Sequence, residues 1–511
     1  MLNVLLAAPF IAAVLMALQS GRDGQAALRS GIALSLVQLV IGVLVFCSGP
    51  AYVNLPWFTL PGTGTTVHYA LVADGIGSAL AVLTLVLGPV ALLGSAAAVG
   101  ERMRDFATAT FALQGCLLGA FLADDLVLFY FFFEAMLLPM VVLIGLFGEA
   151  DTRRQASLQF FIYTMLGSIM MLVAIWMIAA STMGSTSFRE LPAVVAGMSE
   201  GSRLFCFWAF ALAFAVKTPL MPFHSWQAPV YAACPAGGAV LLAGAMAKLG
   251  TFGFMRYVLV LFPGESASYA GVFITLGIVG VIFGALLALA QQDLKRMLAF
   301  SSLSHLGLVV VGIFSFQDAA LSGAVVQMVA HGLAVGTLFL LIGHLEYRSG
   351  MRYLDDFGGL AQRAPVYAVL FVGAALAAVA LPGTAGFVGE VMLLQGTYAA
   401  VVGWLGLGWG IAVTALAGLS LILGAGYVLR AVQRVIYGPR DERGPIPDCD
   451  PMTGTAIGVL LAATFVIGIY PRLITVASEQ TVQTIGDAVA AVTAPENAPV
   501  IATLGESDNA Q

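Results

Sequence analysis

Six ionisable residues lie inside stretches of the sequence that are otherwise apolar, and proton transfer is the chemistry that their types favour. They are Glu134, Lys217, Lys248, His305, His331 and Glu390. An ionisable group at the centre of a bilayer costs about 2.5–3.5 kcal/mol on insertion scales, so such groups usually face a protein interior or a hydrated cavity. Glutamate, lysine and histidine can each gain and lose a proton, and a row of them predicts a proton relay.

Glu134 and Lys217 are predicted to form the first pair of this relay. Apolar residues flank Glu134 on both sides, and Lys217 lies shortly before Pro219 and Pro222. Two prolines interrupt a helix, and unwound backbone at membrane depth occurs where it is buried in protein or lines a cavity. Pairing with Glu134 removes much of the cost of burying Lys217. A static structural pair, or a protonated Glu134 bonded to a neighbouring helix, remains the alternative.

The remaining groups are predicted to continue the relay. Lys248 lies near the middle of an expected helix over about 236–260, although its side chain is long enough to snorkel towards an interface. Glu390 follows a Pro-Gly pair at 382–383, which marks a second interrupted helix. Two histidines lie between Lys248 and Glu390 in chain order and are expected to connect them. A hydrogen bond that only bridges two helices is the alternative for each histidine.

Composition indicates the elements that position these residues. The chain has 511 residues, of which 60% are hydrophobic and 9% are charged, and its mean hydropathy is +0.98. Soluble domains are near 45–50% apolar and about 25% charged. A soluble enzyme, a nucleic-acid-binding protein and a disordered protein are therefore excluded, and the lipid bilayer is the expected environment. A net charge of −6 gives no reason to expect a nucleic-acid partner.

The expected fold is an all-α integral membrane protein with about 14 transmembrane helices, since each crossing needs about 20 apolar residues. Helices 7 and 12 are expected to be broken, and helices 4–8 and 9–13 to form two inverted five-helix repeats. The expected segments are 1–105 (helices 1–3), 106–260 (first repeat), 261–440 (second repeat) and 441–511 (helix 14 and a polar tail). The helices cover about 2–20, 28–48, 76–99, 106–123, 125–147, 157–180, 203–230, 236–260, 269–291, 295–314, 320–345, 366–402, 407–436 and 453–475.

The distribution of basic residues predicts the orientation. With 14 helices, fifteen of the 21 lysines and arginines fall in connections on one side and four on the other. The basic side is cytoplasmic by the positive-inside rule, which places both termini outside. At one cytoplasmic turn, Asp293, Lys295 and Arg296 are expected to form a solvated cluster.

No cofactor or metal site is expected in this chain. It contains neither a phosphate-binding loop of the Walker type nor a dinucleotide-binding glycine motif after a strand. Its five cysteines are scattered and form no C-x-x-C pair. They are expected to act as small apolar packing residues.

Several short motifs together resemble one family, the antiporter-like membrane subunits of respiratory complex I, which is shared with Mrp-type cation/proton antiporters. The resemblance extends from helix 3 to helix 14. The motifs lie at 72–78 (like V-D-G-L-S), 129–139 (the helix 5 glutamate), 214–219 (the helix 7 lysine), 248–253 (like K-x-G-x-Y-G), and 293–296 with 304–307 (like D-x-K-R…S-H-x-G).

This resemblance implies a proton-translocating subunit in the membrane arm of an NADH:quinone oxidoreductase. Quinone reduction elsewhere in the complex would drive proton pumping through the six residues. The chain would be part of a translocase without a redox site of its own, because flavin, iron–sulfur clusters and quinone belong to partner subunits. Antiporter-like subunits are expected on both sides. The implied location is the bacterial inner membrane, with both termini periplasmic.

Two features favour the subunit M branch of the family. Most antiporter-like subunits carry a lysine on broken helix 12, whereas subunit M carries a glutamate in a motif like that at 386–390. Subunit L continues into a long lateral helix, and this chain continues for only about 35 residues after expected helix 14.

One segment departs from the family pattern. The connection between helices 7 and 8 commonly resembles W-L-P-D-A-H-x-x-A-P, whereas 226–235 reads W-Q-A-P-V-Y-A-A-C-P and lacks the aspartate and the histidine. The departure leaves open an Mrp-type antiporter subunit, or a subunit of a related membrane-bound hydrogenase or carbon-uptake complex.

Overall fold

The computed structural model describes residues 1–21, 23–49, 51–182, 184–439 and 447–493. The structure is helical apart from one antiparallel hairpin, β1 (Tyr52–Thr59) and β2 (Thr66–Val72). The helices of the first half are α1 (Leu2–Leu18), α2 (Gly24–Cys47), α3 (Gly75–Val99), α4 (Met103–Leu122), α5 (Leu126–Ala135), α6 (Leu137–Phe147), α7 (Arg153–Ser181), α8 (Leu191–Ala196), α9 (Glu200–Lys217), α10 (Gln227–Ala233), α11 (Ala236–Leu241), α12 (Lys248–Gly253), α13 (Leu259–Leu261) and α14 (Pro263–Ser268).

The helices of the second half include the longest in the chain. They are α15 (Ala270–Ala290), α16 (Leu294–Ile313), α17 (Asp318–Ser349), α18 (Leu360–Arg363), α19 (Pro365–Ala378), α20 (Ala385–Leu405), α21 (Leu407–Val435), α22 (Pro451–Ile469) and α23 (Arg472–Thr493). Short 3₁₀ turns lie at Gly100–Arg102 and Leu354–Asp356.

The multi-pass membrane architecture is confirmed. Within the described residues, eleven helical stretches are long and apolar enough to cross a membrane, and one of them, 75–122, contains α3, α4 and the 3₁₀ turn between them. The two shorter apolar helices Leu2–Leu18 and Pro365–Ala378 add to these. The number 14 and the inverted repeats remain predictions.

Both expected interruptions are present. Helix α9 ends at Lys217, and helical structure resumes only at Gln227. Prolines within this gap cannot donate the backbone hydrogen bonds that would continue a helix. The second gap separates α19 from α20 and contains Ala380 and Gly383, both with positive φ (55° and 97°). Each gap therefore divides a potential crossing into two half-helices.

The stretch between these gaps that carries Lys248 is entirely buried. Helices α11, α12 and α13 follow one another with two π-helical segments between them, Leu242–Met246 and Phe254–Val258. Every residue from Ala236 to Leu259 is buried inside the protein. Its π-helical segments widen the backbone locally, a feature that is frequent at functional sites.

Turns gather at two ends of the molecule. We call the end formed by turns 148–152, 291–293 and 350–353 the basic end. There Arg352 binds both Glu149 and Asp293, each at 2.9 Å. Burial alone would raise the pKa of Glu149, but the hydrogen bond and charge of Arg352 outweigh it, so that this pKa is lowered. Helix α16 begins at this end, and the bond from Arg434 to Asp355 places the end of α21 there too.

The expectation of a solvated cluster at 293–296 is wrong for two of its three members. Asp293 and Lys295 are 5% and 4% exposed. Lys295 Nζ lies 2.6 Å from Glu346 of α17, and Asp293 accepts hydrogen bonds from the backbone at the start of α16. These partners offset the free-energy cost of burying the two charges. The position of the residues at a turn in the sequence does not indicate such partners.

The opposite end, which we call the hairpin end, consists of β1, β2 and segments 123–125 and 184–190. Backbone hydrogen bonds join these segments, including Asp124 N to Ala70 O (2.9 Å) and Leu126 N to Thr186 O (3.1 Å). Asp125 begins α5 by accepting from the backbone of residues 127 and 128. The hairpin was not expected from the sequence.

The segment after α22 is helical instead of forming only a polar tail. Helix α23 packs across α3, α14 and α17. Its approach to α3 is close, because a Cβ at Gly75 would lie 1.9 Å from Ala477 O. The rest of the expected tail, 494–511, lies outside the described residues. Expected helix 5 also differs, since Met136 separates α5 from α6.

Candidate functional site

Lys248 and His331 are in direct contact at the centre of the protein. Lys248 Nζ lies 2.7 Å from His331 Nδ1 and also donates to the carbonyl oxygen of Ala243. Lys248 is 0% exposed, and His331 is 7% exposed. Lys248 follows a π-helical segment, and His331 lies on α17. The lysine therefore lies near mid-span and does not snorkel.

His305 and Glu390 form the second contact. His305 Nδ1 on α16 lies 3.0 Å from Glu390 Oε1 on α20, and Gln327 Nε2 on α17 donates to the same oxygen at 3.1 Å. Glu390 is 1% exposed. Its second oxygen, Oε2, has no hydrogen-bond partner among the described residues.

A small cavity joins these two contacts. The rings of His305 and His331 lie with their centroids 5.6 Å apart, and both line the cavity together with Gln327 and Glu390. The cavity offers about 20 Å³ to the centres of water molecules, which is room for at least one water. The order in space is Lys248, His331, His305 and Glu390.

Two glycines beside the relay residues let the helices approach closely. A Cβ at Gly332, next to His331, would lie 2.7 Å from Gly244 O. A Cβ at Gly389, next to Glu390, would lie 2.6 Å from Gln327 Oε1. Real Cβ atoms do not occupy such positions without displacing a neighbour, so larger side chains would push α17 away from its partners.

The expected ion pair between Glu134 and Lys217 is not formed. Lys217 Nζ has no hydrogen-bond partner among the described residues and lies 4.9 Å from the centroid of the Phe133 ring. Glu134 is half-buried on α5, and its Oε1 is buried without a hydrogen-bond partner among the described residues. The two groups still act on one another electrostatically. Lys217 ends α9, where the partial negative charge of the helix C-terminus favours a cation.

The structure thus brings four of the six predicted residues into one row, and Glu134 and Lys217 are not members of it. Gln327 was missed by the sequence analysis. Nothing in the sequence distinguishes a buried glutamine that holds a carboxylate from one that packs between helices. The described residues contain no group of three or more His, Cys, Asp or Glu side chains that could hold a metal ion.

The comparisons with known proteins identify the family. Residues 123–417 match the family described as NADH:quinone oxidoreductase/Mrp antiporter, transmembrane. The chain belongs to this family. It is 35% identical over 492 residues to NADH-quinone oxidoreductase subunit M of Rhodobacter capsulatus, covering 93% of this chain and 94% of that one. Subunit M of Mycobacterium tuberculosis is 34% identical over 534 residues, with 95% and 94% covered.

Solved structures show the same fold. A chain of respiratory complex I from Thermus thermophilus superposes with a TM-score of 0.84 at 29% identity, and the match covers 96% of this chain and 100% of that one. A chain of the Mrp complex from Dietzia sp. superposes with a TM-score of 0.80 at 22% identity, with 97% and 98% covered. The family resemblance drawn from the short motifs is therefore confirmed.

Proposed function

We propose that this chain is the proton-translocating membrane-arm subunit M of an NADH:quinone oxidoreductase. The observation that carries the proposal is the continuous buried row from Lys248 through His331 and His305 to Glu390. A protein that needed these residues only for helix packing would not require four neighbouring groups that can all exchange protons. Likeness to subunit M relatives supports the choice of parent complex.

Each link of the row suits one proton transfer. Lys248 Nζ can give its proton to the unprotonated Nδ1 of His331, which lies 2.7 Å away. A water in the cavity can carry a proton between the two imidazole rings. His305 Nδ1 can then pass it to Glu390 Oε1 at 3.0 Å. Gln327 holds that oxygen in place, and Glu390 exchanges the proton with the outside.

Glu134 and Lys217 supply the control of this row. Lys217 Nζ has no hydrogen-bond partner among the described residues and lies against aromatic rings. A small movement of Glu134 therefore changes the stability of the charged form of Lys217. Glu134 is half-buried on α5, so part of its side chain is open to a neighbouring subunit. A change there would alter the Glu134–Lys217 interaction and shift a proton from Lys217 towards Lys248.

The remaining assignments follow from the same proposal. Flavin, iron–sulfur clusters and quinone act in partner subunits, antiporter-like subunits flank this chain on both sides, and the complex lies in a bacterial inner membrane with both termini periplasmic. Two inverted repeats are supported by Asp125 and Asp293, which begin α5 and α16 at opposite ends of the molecule. Each also forms an antiparallel bridge with the loop that precedes a broken helix.

Copurification tests the parent complex. The tagged chain is isolated in mild detergent, and the eluate is assayed for flavin, iron–sulfur subunits and NADH-driven quinone reduction. After reconstitution into vesicles, NADH should drive proton uptake. A complex without flavin that moves protons in response to sodium would contradict the proposal and identify a cation/proton antiporter. A hydrogenase in the eluate would also contradict it and would identify a membrane-bound hydrogenase.

A further inference from the structure

A buried pair of hydroxyl groups adjoins the relay and takes no part in the function proposed above. Ser301 Oγ on α16 lies 2.8 Å from Tyr427 OH on α21. Both residues are buried, at 6% and 1% exposure. Ser301 lines the same cavity as His305 and Glu390, and Glu390 acts on Tyr427 electrostatically.

This pair lies on the basic-end side of His305. Helix α16 starts at the basic end with Leu294, so at 1.5 Å per residue Ser301 lies ~10 Å from that start and His305 ~16 Å. Tyr427 lies eight residues before Val435, where α21 ends, which is ~12 Å from the same end. The hydroxyl pair and the end of the cavity near Leu298 thus lie between the relay and the basic end.

We infer that Tyr427, with Ser301, is a further proton-transfer residue that connects Glu390 and His305 to the basic end of the molecule. The inference rests on the proposed function, because it adds a second route to the same row of groups. Without it, the proposed relay receives its protons through Lys248 alone. With it, Glu390 is reprotonated from the basic side while Lys248 serves the other end of the row, so that turnover needs both groups.

The chemistry needs no charged intermediate on the hydroxyls. A hydroxyl that accepts a proton from one neighbour releases its own proton to the next, so that one O–H bond forms as another breaks. Water from the basic side would supply the proton to Tyr427, Ser301 would receive it, and cavity water would deliver it to Glu390. Replacing Tyr427 by phenylalanine keeps the ring in its buried position and removes only the hydroxyl.

The test uses the whole complex reconstituted in vesicles, with the variants Tyr427→Phe, Ser301→Ala and the double variant. Tyr367→Phe is the matched control, because Tyr367 is equally buried and donates to the backbone oxygen of Leu341 but does not line the cavity. Two rates are measured: NADH-driven proton uptake, in H₂O and in D₂O, and NADH oxidation by ferricyanide, which reports the amount of assembled redox subunits.

We expect Tyr427→Phe to lower the rate of proton uptake about tenfold at unchanged ferricyanide activity, which corresponds to ~1.4 kcal/mol in the barrier. Its solvent isotope effect should rise, because proton delivery then limits the rate. Ser301→Ala should have a similar effect, and the double variant should be no worse than either single variant, since all interrupt one route. Tyr367→Phe should pump at the wild-type rate.

Three results would overturn the inference. One is a Tyr427→Phe complex that pumps at the wild-type rate. Another is equal damage in Tyr367→Phe with unchanged isotope effects, which is the mark of general disruption. The third is a Ser301→Ala complex that pumps at the wild-type rate, and this result decides the question if the Tyr427→Phe complex does not assemble. Glu390→Gln separates the two proposals, because wild-type pumping by this variant would count against the proposed relay itself.

Discussion

Removal of Arg256 should destabilise the protein severely. Arg256 lies in a π-helical segment near the hairpin end and is buried. Its guanidinium binds Asp74 Oδ2 and, at 2.8 Å, Asp124 Oδ1. Asp74 also begins α3, and Asp124 lies in the turn between α4 and α5. One cation therefore ties three separate parts of the chain together.

The expected cost of Arg256→Met follows from this geometry. The side chains of Asp74 and Asp124 are 12% and 3% exposed, so both carboxylates would stay buried without their shared cation. Removing one partner of a buried ion pair typically costs about 3–5 kcal/mol. Asp124 keeps Arg189, but that side chain is 61% exposed and its charge is screened by solvent. We therefore expect a loss of about 3–5 kcal/mol.

Unfolding of the detergent-solubilised protein by a denaturing detergent measures this cost. The double variant Arg256→Met/Asp124→Asn should recover part of the loss, because one unpaired charge is removed with its partner. The matched control is Arg104→Met, whose pair with Asp105 is solvent-exposed on both sides and should matter by less than about 1 kcal/mol. A free energy of unfolding for Arg256→Met within about 1 kcal/mol of the wild type would refute the reasoning.

Three further predictions concern the relay and the basic end. Gly250→Ala should lower the free energy of unfolding by about 1–3 kcal/mol, because the new Cβ would lie 2.1 Å from Thr218 Oγ1; detergent unfolding measures it. Glu390→Gln should slow NADH-driven proton uptake about 10- to 100-fold, which is about 1.4–2.7 kcal/mol in the barrier, because an amide cannot take up and release the proton as a carboxyl group does. Arg352 lowers the pKa of Glu149 from its ordinary 4.5, so their interaction stabilises the fold above that pH and the stabilisation is lost as the pH falls through the lowered pKa. The free energy of unfolding of Glu149→Gln should therefore differ from that of the wild type at pH 7 but not at strongly acidic pH.

Each of these predictions has its own control. Gly458→Ala should be harmless, because its new Cβ meets nothing within 4 Å; equal damage there would contradict the steric argument. Glu346→Gln removes a carboxylate that binds Lys295 at the basic end, and pumping as slow as that of Glu390→Gln would contradict the special role of Glu390. For Glu149, a stability difference that stays constant from pH 7 to acid would show that its charge is irrelevant.

The helical membrane fold and most of the relay follow from the sequence for identifiable reasons. Long apolar runs predict helices, because a helix pairs the backbone N–H and C=O groups of a segment within that segment when it lies in lipid. Prolines and glycines in the two gaps preclude continuous helices there. Isolated ionisable residues in such runs must find partners, so Lys248, His305, His331 and Glu390 could be expected to meet before any distance was known.

Other features depend on tertiary contacts that no local pattern reports. Whether Glu134 reaches Lys217 depends on the rotation of α5 relative to α9, and the structure places aromatic rings against the lysine instead. Helix α23 has too few apolar residues to resemble a membrane helix, and its order comes from packing on α3 and α17. The neighbours of Lys295 along the chain predict an exposed residue, but it is buried, and its ammonium group binds Glu346 and the carbonyl oxygen of Cys234.

The central claim is that protons pass along the row that begins at Lys248. The most direct measurement is NADH-driven proton uptake by vesicles containing the Lys248→Met complex, at matched flavin content, beside Lys295→Met, which removes a second buried lysine outside the row. The account predicts that Lys248→Met loses proton uptake by this subunit while Lys295→Met retains it. Wild-type proton uptake by a fully assembled Lys248→Met complex would contradict the account.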